Sequence, residues 1–264
     1  MIKLENVVLA SPEQMDFIIE GMRNPMNSWD RSDSYIDAPN KNCNGQSGDS
    51  FYVLGGEDHN LMQRLANAGT DRRNFMRMMP VYVRITAPLY WWKDFDDLPA
   101  AYTIGVISDN SNVIDKIAEK EFTIEDFSTD KLLSFSGNHN DEREVPTVMI
   151  DEHNQYSPKG ILECAVIPML NDCRNLYLGG VNHGVMVKTR KDKDIWWQMI
   201  QLLPSSYNQT RNVMMNYEVL ANIYQWRKDH KLDEWREFCK WIEGLPYSEL
   251  ITGLPIESDD TDED

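Results

Sequence analysis

Cations set among aromatic and apolar residues are the first candidates for chemistry. Arg72, Arg73 and Arg77 fall on a stretch with helical spacing, Arg84 lies inside the alternating run Val81-Tyr82-Val83-Arg84-Ile85-Thr86, and Lys93 follows Trp91-Trp92. A guanidinium inside an inner strand needs a partner, and its fork of donors matches a phosphate or a carboxylate. Further along, Ser205-Ser206-Tyr207-Asn208 and Arg211 precede Asn216 and Arg227, which stand 11 residues apart. That is about three helical turns, so both side chains share one helix face and could grip separate ends of an extended ligand. Each has a plain structural alternative: the Trp and Tyr as core, the Arg heads reaching water along their stems, and Asn216 and Arg227 as boundary residues of an amphipathic helix.

General catalytic motifs do not add to this. The chain lacks G-x-x-x-x-G-K-[ST], G-x-G-x-x-G, H-E-x-x-H and G-x-S-x-G. His59, His139, His153, His183 and His230 are scattered without Cys or His partners at ligand spacing, so no metal site is expected. Cys43, Cys164, Cys173 and Cys239 form no C-x-x-C pair and read as reduced, mostly buried thiols.

Charge limits the partners. The 264 residues hold 26 basic and 43 acidic side chains, a net −17, and residues 257–264 carry six of the acids with no base. The tail reads as a solvated acidic end, and the body is acidic enough to repel a nucleic-acid backbone, while a local basic pocket for one nucleotide stays open. No apolar run is long enough for a membrane span and the N-terminus is not organised as a signal peptide, so a soluble, cytoplasmic protein is expected.

The elements that would position these residues follow from spacing. Leu4 to Leu9 reads as a strand, and Ser11-Pro12-Glu13-Gln14 caps a helix through Met15, Ile18, Ile19 and Met22. Asn24 to Ser50 reads as a long loop, pinned by Trp29 and Tyr35. A helical hairpin over 58–79 turns at Gly69, then Val81 to Thr86 forms a strand and Pro88 opens an aromatic helix. Helices are expected over 109–120, 126–135 and 161–171, a Gly-containing β segment over 176–187, and a helix through Trp196, Trp197, Ile200 and Leu203 that Pro204 stops. Residues 136–160 read as a surface excursion. Two last helices run through Val213, Tyr217, Leu220, Ile223, Tyr224 and Arg227, and through Trp235, Phe238, Trp241 and Ile242.

This order, with Leu203-Pro204, Asn216, Leu220 and Arg227, resembles the flavin-dependent thymidylate synthases over roughly residues 55–120 and 195–240. The stretches Ile85 to Lys93 and Leu202 to Gln209 are also similar to a divergent branch from Gram-positive bacteria and their phages. The resemblance implies an α+β fold, a central β-sheet with flanking helices, as one domain over 1–256 with a tail at 257–264. It implies a pyrimidine nucleotide, deoxyuridylate, held by Asn216 and Arg227; with the cations read above, Arg84 and Arg211 are expected to join that substrate site, and Lys93 and Tyr207 to lie at the flavin, FAD, that the resemblance implies. It further implies methylene-tetrahydrofolate as one-carbon donor and a homotetramer. Where that family carries an Arg-His-Arg triplet, this chain has Lys93-Asp94-Phe95-Asp96-Asp97, and Thr70 replaces a His. Three readings remain: an enzyme transferring one carbon to deoxyuridylate, a catalytically silent nucleotide-binding protein, and a structural protein joined through Trp-rich surfaces. No catalytic residue is assigned.

Overall fold

The computed structural model describes residues 2–37, 50–98, 105–108, 117–135, 145–149, 155–182, 184–187 and 193–253. The chain opens with β1 (Lys3–Leu9) and α1 (Pro12–Arg23), followed by the short strands β2 (Tyr35–Asp37) and β3 (Phe51–Val53). Next come α2 (Gly56–Asn67), α3 (Asn74–Arg77), β4 (Pro80–Pro88), α4 (Leu89–Asp96) and β5 (Gly105–Ser108). The middle holds a small hairpin, β6 (Val148–Met149) and β7 (Gln155–Tyr156), and then α5 (Pro158–Ile161), a π-helical segment over Leu162–Val166, and α6 (Ile167–Leu178). A second hairpin, β8 (Gly180–Asn182) and β9 (Val185–Val187), leads to α7 (Lys193–Leu202) and β10 (Asn208–Asn216). Helices α8 (Tyr217–Arg227), α9 (Asp233–Glu243) and α10 (Glu249–Thr252) finish the fold. It is an α+β architecture around an antiparallel sheet of order β1-β4-β10-β5.

Contacts divide the chain into two compact units. One comprises Met1–Lys3, Thr86–Leu98 and Ser108–Arg211, and the other Leu4–Ile85, Pro99–Ile107 and Asn212–Asp264. Strands β4 and β10 therefore both run from one unit into the other.

In the second unit, alternation on β4 sends Val81, Val83 and Ile85 into the core, and Val213 and Met215 of β10 do the same. Helix α8 adds Leu220 and Ile223, α9 adds Trp235, Phe238 and Ile242, and α10 adds Leu250 and Ile251, all buried. The start of α1 is fixed locally: Ser11 Oγ accepts from Gln14 N at 3.2 Å, and Gln14 Oε1 accepts from Ser11 N at 2.8 Å. Gly69 follows α2 at φ 103°, a backbone angle that favours glycine, and a short 3-10 turn over Thr70–Arg72 then leads into α3.

The first unit has its own core of Phe122, Phe127, Leu162, Ile167, Leu170 and Met199. Helix α4 contributes a packed aromatic group, with the Trp91 and Trp92 rings 5.0 Å apart and Phe95 at 5.1 and 5.3 Å from them.

Three expectations from spacing are corrected. Residues 208–216 are strand rather than the beginning of a helix, because β10 pairs within the sheet; the helix starts at Tyr217. Residues 126–135 are not helical: Thr123 and Asp126 close a capping box around a 3-10 turn, and Phe127 then bridges to Tyr207. The segment after 176 stays helical to Leu178 before the β8–β9 hairpin begins. The expected helix over 109–120 and the acidic tail fall largely or wholly outside the described residues. No described helix is long and apolar enough to cross a membrane.

Candidate functional site

The outward side of the sheet in the second unit is open. On β4, Tyr82 and Arg84 alternate with the buried valines and face solvent; on β10, Asn212 and Met214 do so. Together with Asn6 of β1 and Val106 of β5 they line a groove of about 460 Å³. Arg84 sits in the interior of the sheet order, as its sequence neighbourhood implies. Its partner is the Asn212 amide, reached from Nε at a long 3.4 Å, and among the described residues it makes no ion pair. A guanidinium held this loosely keeps donors for an incoming anion. The groove also presents the Tyr82 ring, 48% exposed, and the apolar Val106 and Met214 beside the Asn6 and Asn212 amides. A cation, two amides and an aromatic ring in one groove can bind a phosphate, read a base edge and stack on its ring.

Asn216 and Arg227, also in the second unit, are placed differently from the sequence expectation. Asn216 is the last residue of β10 and the N-cap of α8, its Oδ1 accepting from Val219 N at 2.9 Å. Arg227 ends the same helix, ~16 Å away at 1.5 Å per residue, with its guanidinium 4.9 Å from the Trp235 ring centroid. The two thus mark opposite ends of α8 rather than one continuous helical face.

Arg211, Lys93 and Tyr207 belong to the first unit. Arg211 donates from Nη1 to Asp96 at 2.7 Å and from Nε and Nη2 to Gln209 Oε1 at 3.1 and 2.9 Å. It also lies 4.3 Å over the Trp92 ring. Lys93 is exposed on α4, followed by Asp94, Asp96 and Asp97. The Tyr207 ring packs against Phe127 and Phe122 at 5.6 and 6.2 Å, and burial pushes its phenol up.

Of the helix arginines, Arg77 makes a two-pronged bond to Glu218 that raises its pKa, and Arg73 donates to the Ala66 carbonyl at 2.5 Å. Arg72 stays exposed. Sequence reasoning missed Asp58. This buried acid accepts from Arg23 Nε at 2.5 Å, from the Ser32 and Ser34 hydroxyls at 2.7 and 2.6 Å, and from the Asp33 and Ser34 amides. In the sequence it looks like an ordinary first-turn acid of α2. Among the described residues no cluster of His, Cys, Asp and Glu is arranged to hold a metal ion.

No known family profile and no curated protein matches the sequence. Solved structures do match. Thymidylate synthase X from Helicobacter pylori, solved with FAD and dUMP, superposes with a TM-score of 0.52 at 15% identity, over 96% of this chain and 98% of that one. A second structure of that enzyme, also with FAD and dUMP, gives 0.52 at 14% identity with the same coverage. The UMP/dUMP methylase PolB from Streptomyces cacaoi, bound with 5-Br dUMP, gives 0.50 at 12% identity over 92% of this chain and 89% of that one. The chain has the fold of the flavin-dependent thymidylate synthases.

At this identity the likeness is one of fold, and the flavin has to be tested on the residues present. A dinucleotide flavin brings a diphosphate, which calls for several cations or a fork of them. Within α4 and its C-cap, the described residues offer Lys93 against Asp94, Asp96 and Asp97, and the neighbouring Arg211 is committed to Asp96, Gln209 and Trp92. Among the described residues, those around α4 do not supply the cations that a flavin diphosphate calls for.

Proposed function

We propose that this chain binds a pyrimidine nucleoside monophosphate, of the deoxyuridylate type, in the open groove around Arg84. Arg84 takes the phosphate, the Asn6 and Asn212 amides face the base edge, and Tyr82 supplies a stacking ring. The observation that carries the reading is Arg84 itself: a loosely bonded guanidinium facing a groove, in a fold whose solved neighbours hold uridine nucleotides. Asn216 and Arg227 are the further substrate residues that the family resemblance would add. Assembly as a homotetramer belongs to the same reading and is checked by light scattering.

One-carbon transfer from methylene-tetrahydrofolate to deoxyuridylate would extend this binding step into catalysis. The poor cation supply around α4 favours the simpler reading, a nucleotide-binding protein on an enzyme's fold.

The test is titration calorimetry of the full chain with deoxyuridylate, uridylate, adenylate and FAD, repeated on Arg84→Ala. A charge-assisted hydrogen bond is worth about 1.5–3 kcal/mol, so the variant is expected to bind deoxyuridylate about 10- to 100-fold more weakly. Equal binding by the variant, or no binding of either pyrimidine nucleotide by the parent, overturns the reading. Retained FAD would restore the enzyme reading.

A further inference from the structure

A smaller cavity of about 170 Å³ lies in the second unit, apart from the Arg84 groove. Three tyrosines from separate elements line it: Tyr52 of β3, Tyr217 at the start of α8, and Tyr247 between α9 and α10. Met15 and Met79 stand beside them, and no charged side chain is part of the wall. We infer that this cavity is a binding site for a compact organic cation of the alkylammonium class, held by the three phenol rings and the two thioethers.

Size is the first argument. An engineered cavity of about 150 Å³ takes up benzene, whereas pockets for drug-sized ligands begin near 300 Å³. A volume of about 170 Å³ therefore excludes a nucleotide and admits a group such as trimethylammonium.

The lining chemistry is the second. Aromatic rings attract cations through their quadrupoles, and methionine sulfur is soft and polarisable. No cationic side chain lines the wall to hold an anion, and the Tyr217 hydroxyl is already engaged, donating to the Pro246 carbonyl at 2.5 Å. The charges that bear on the three phenols are carboxylates outside the wall: Asp16 and Asp58 on Tyr52, and Glu249 on Tyr217 and Tyr247. Asp58 is paired with Arg23 and Glu249 with His59 at 2.6 Å, so of these carboxylates Asp16 is the one outside an ion pair among the described residues and supplies the remaining negative field. A neutral ligand would gain nothing from that field.

Backbone geometry at the cavity points the same way. Tyr247 holds φ at 56°, a left-handed conformation that costs any residue but glycine some stability, and such strain clusters at ligand sites. Two bonds keep the turn in place, Tyr217 to the Pro246 carbonyl and Leu250 N to the Tyr247 carbonyl at 3.1 Å.

The experiment is titration calorimetry of the full chain with choline and with its neutral isostere 3,3-dimethylbutanol. Choline is expected to bind at least 10-fold more tightly, Tyr247→Phe to keep that affinity, and Tyr247→Leu to lose about 10-fold. Should Tyr247→Leu fail to fold, Ala10→Leu fills the same cavity without removing a ring, and is expected to abolish binding. Equal affinity for the two probes, no binding of either, or undiminished choline binding by Ala10→Leu overturns the inference. Arg84→Ala is expected to leave choline binding unchanged, so a failure of the nucleotide reading is told apart from a failure of this one.

Discussion

Arg23 Nε donates to Asp58 Oδ1 at 2.5 Å, with the two side chains only 4% and 0% exposed. The pair ties α1 to the first turn of α2, and the second carboxylate oxygen gathers Ser32, Asp33 and Ser34 onto the same point. Asp33 returns the favour by accepting from the Glu57 and Asp58 amides at 3.0 and 3.1 Å, capping α2. A side chain at Gly55 would collide with the Asp33 carboxylate, its Cβ falling 2.1 Å from that group.

Removing one partner of such a buried pair leaves the other charge uncompensated. Asp58→Asn is expected to lower the unfolding free energy by about 3–5 kcal/mol, measured by urea denaturation at pH 7. Burial alone would raise the Asp58 carboxyl, but hydrogen bonds from Ser34, Ser32 and Arg23 outweigh it and hold the group below its usual 3.8. A carboxyl that is lower in the folded state gives stability that is complete above about pH 4 and is lost as the pH falls through the folded value. The gap between parent and Asp58→Asn should therefore be widest at neutral pH and narrow in acid. A gap that does not change with pH would contradict this.

At the head of α8, Asn216→Ala removes the cap on Val219 N. The expected cost is about 1 kcal/mol. Asn216→Asp keeps an acceptor and adds a charge that suits a helix N-terminus, so its denaturation midpoint should match or exceed that of the parent.

Arg211 is expected to behave as a positioning residue of the first unit. Arg211→Ala loses the Asp96 ion pair, two bonds to Gln209 and the stack on Trp92. A loss of about 1–3 kcal/mol in stability is expected, with Arg211→Lys recovering only part because a point charge cannot replace the fork. Chemical denaturation followed by Trp fluorescence reads this directly.

Among the described cysteines, Cys164 is exposed whereas Cys173 and Cys239 are buried. Burial pushes the Cys239 thiol up to about 12 and raises Cys173 as well. Iodoacetamide at pH 8 should alkylate Cys164 in the folded protein and the other two only after denaturation, as read by peptide mass mapping. Labelling of Cys239 under native conditions would contradict its burial.

Much of the architecture could be read from local signals. Ser11 and Gln14 announce the start of α1, and the alternation of Val81, Val83 and Ile85 announces β4, because capping and period-two burial need no distant partner. Residues 208–216 were not legible as strand: Val213 and Tyr217 repeat at helical spacing, and only pairing in the sheet decides against a helix there. Arg84 was legible as a cation inside an apolar run, and the structure gives it a groove in place of a buried partner. The tyrosine cavity left no trace in the sequence, since its rings come from positions 52, 217 and 247. Asp58 was hidden for a similar reason, its partners lying 24 to 35 residues away.

Each compact unit is stitched from separate stretches of chain, the second from Leu4–Ile85, Pro99–Ile107 and Asn212–Asp264. A ribosome making this protein releases the first of these stretches long before the last, at about 5–20 residues per second. Until Asn212 and its successors emerge, β4 can pair with β1 but its other edge lacks β10, and α2 lacks its contact with α10. The nascent chain therefore spends most of its synthesis with a half-built core, which makes early chaperone capture, and poor yield of C-terminally truncated fragments, a direct outcome of how the strands are threaded.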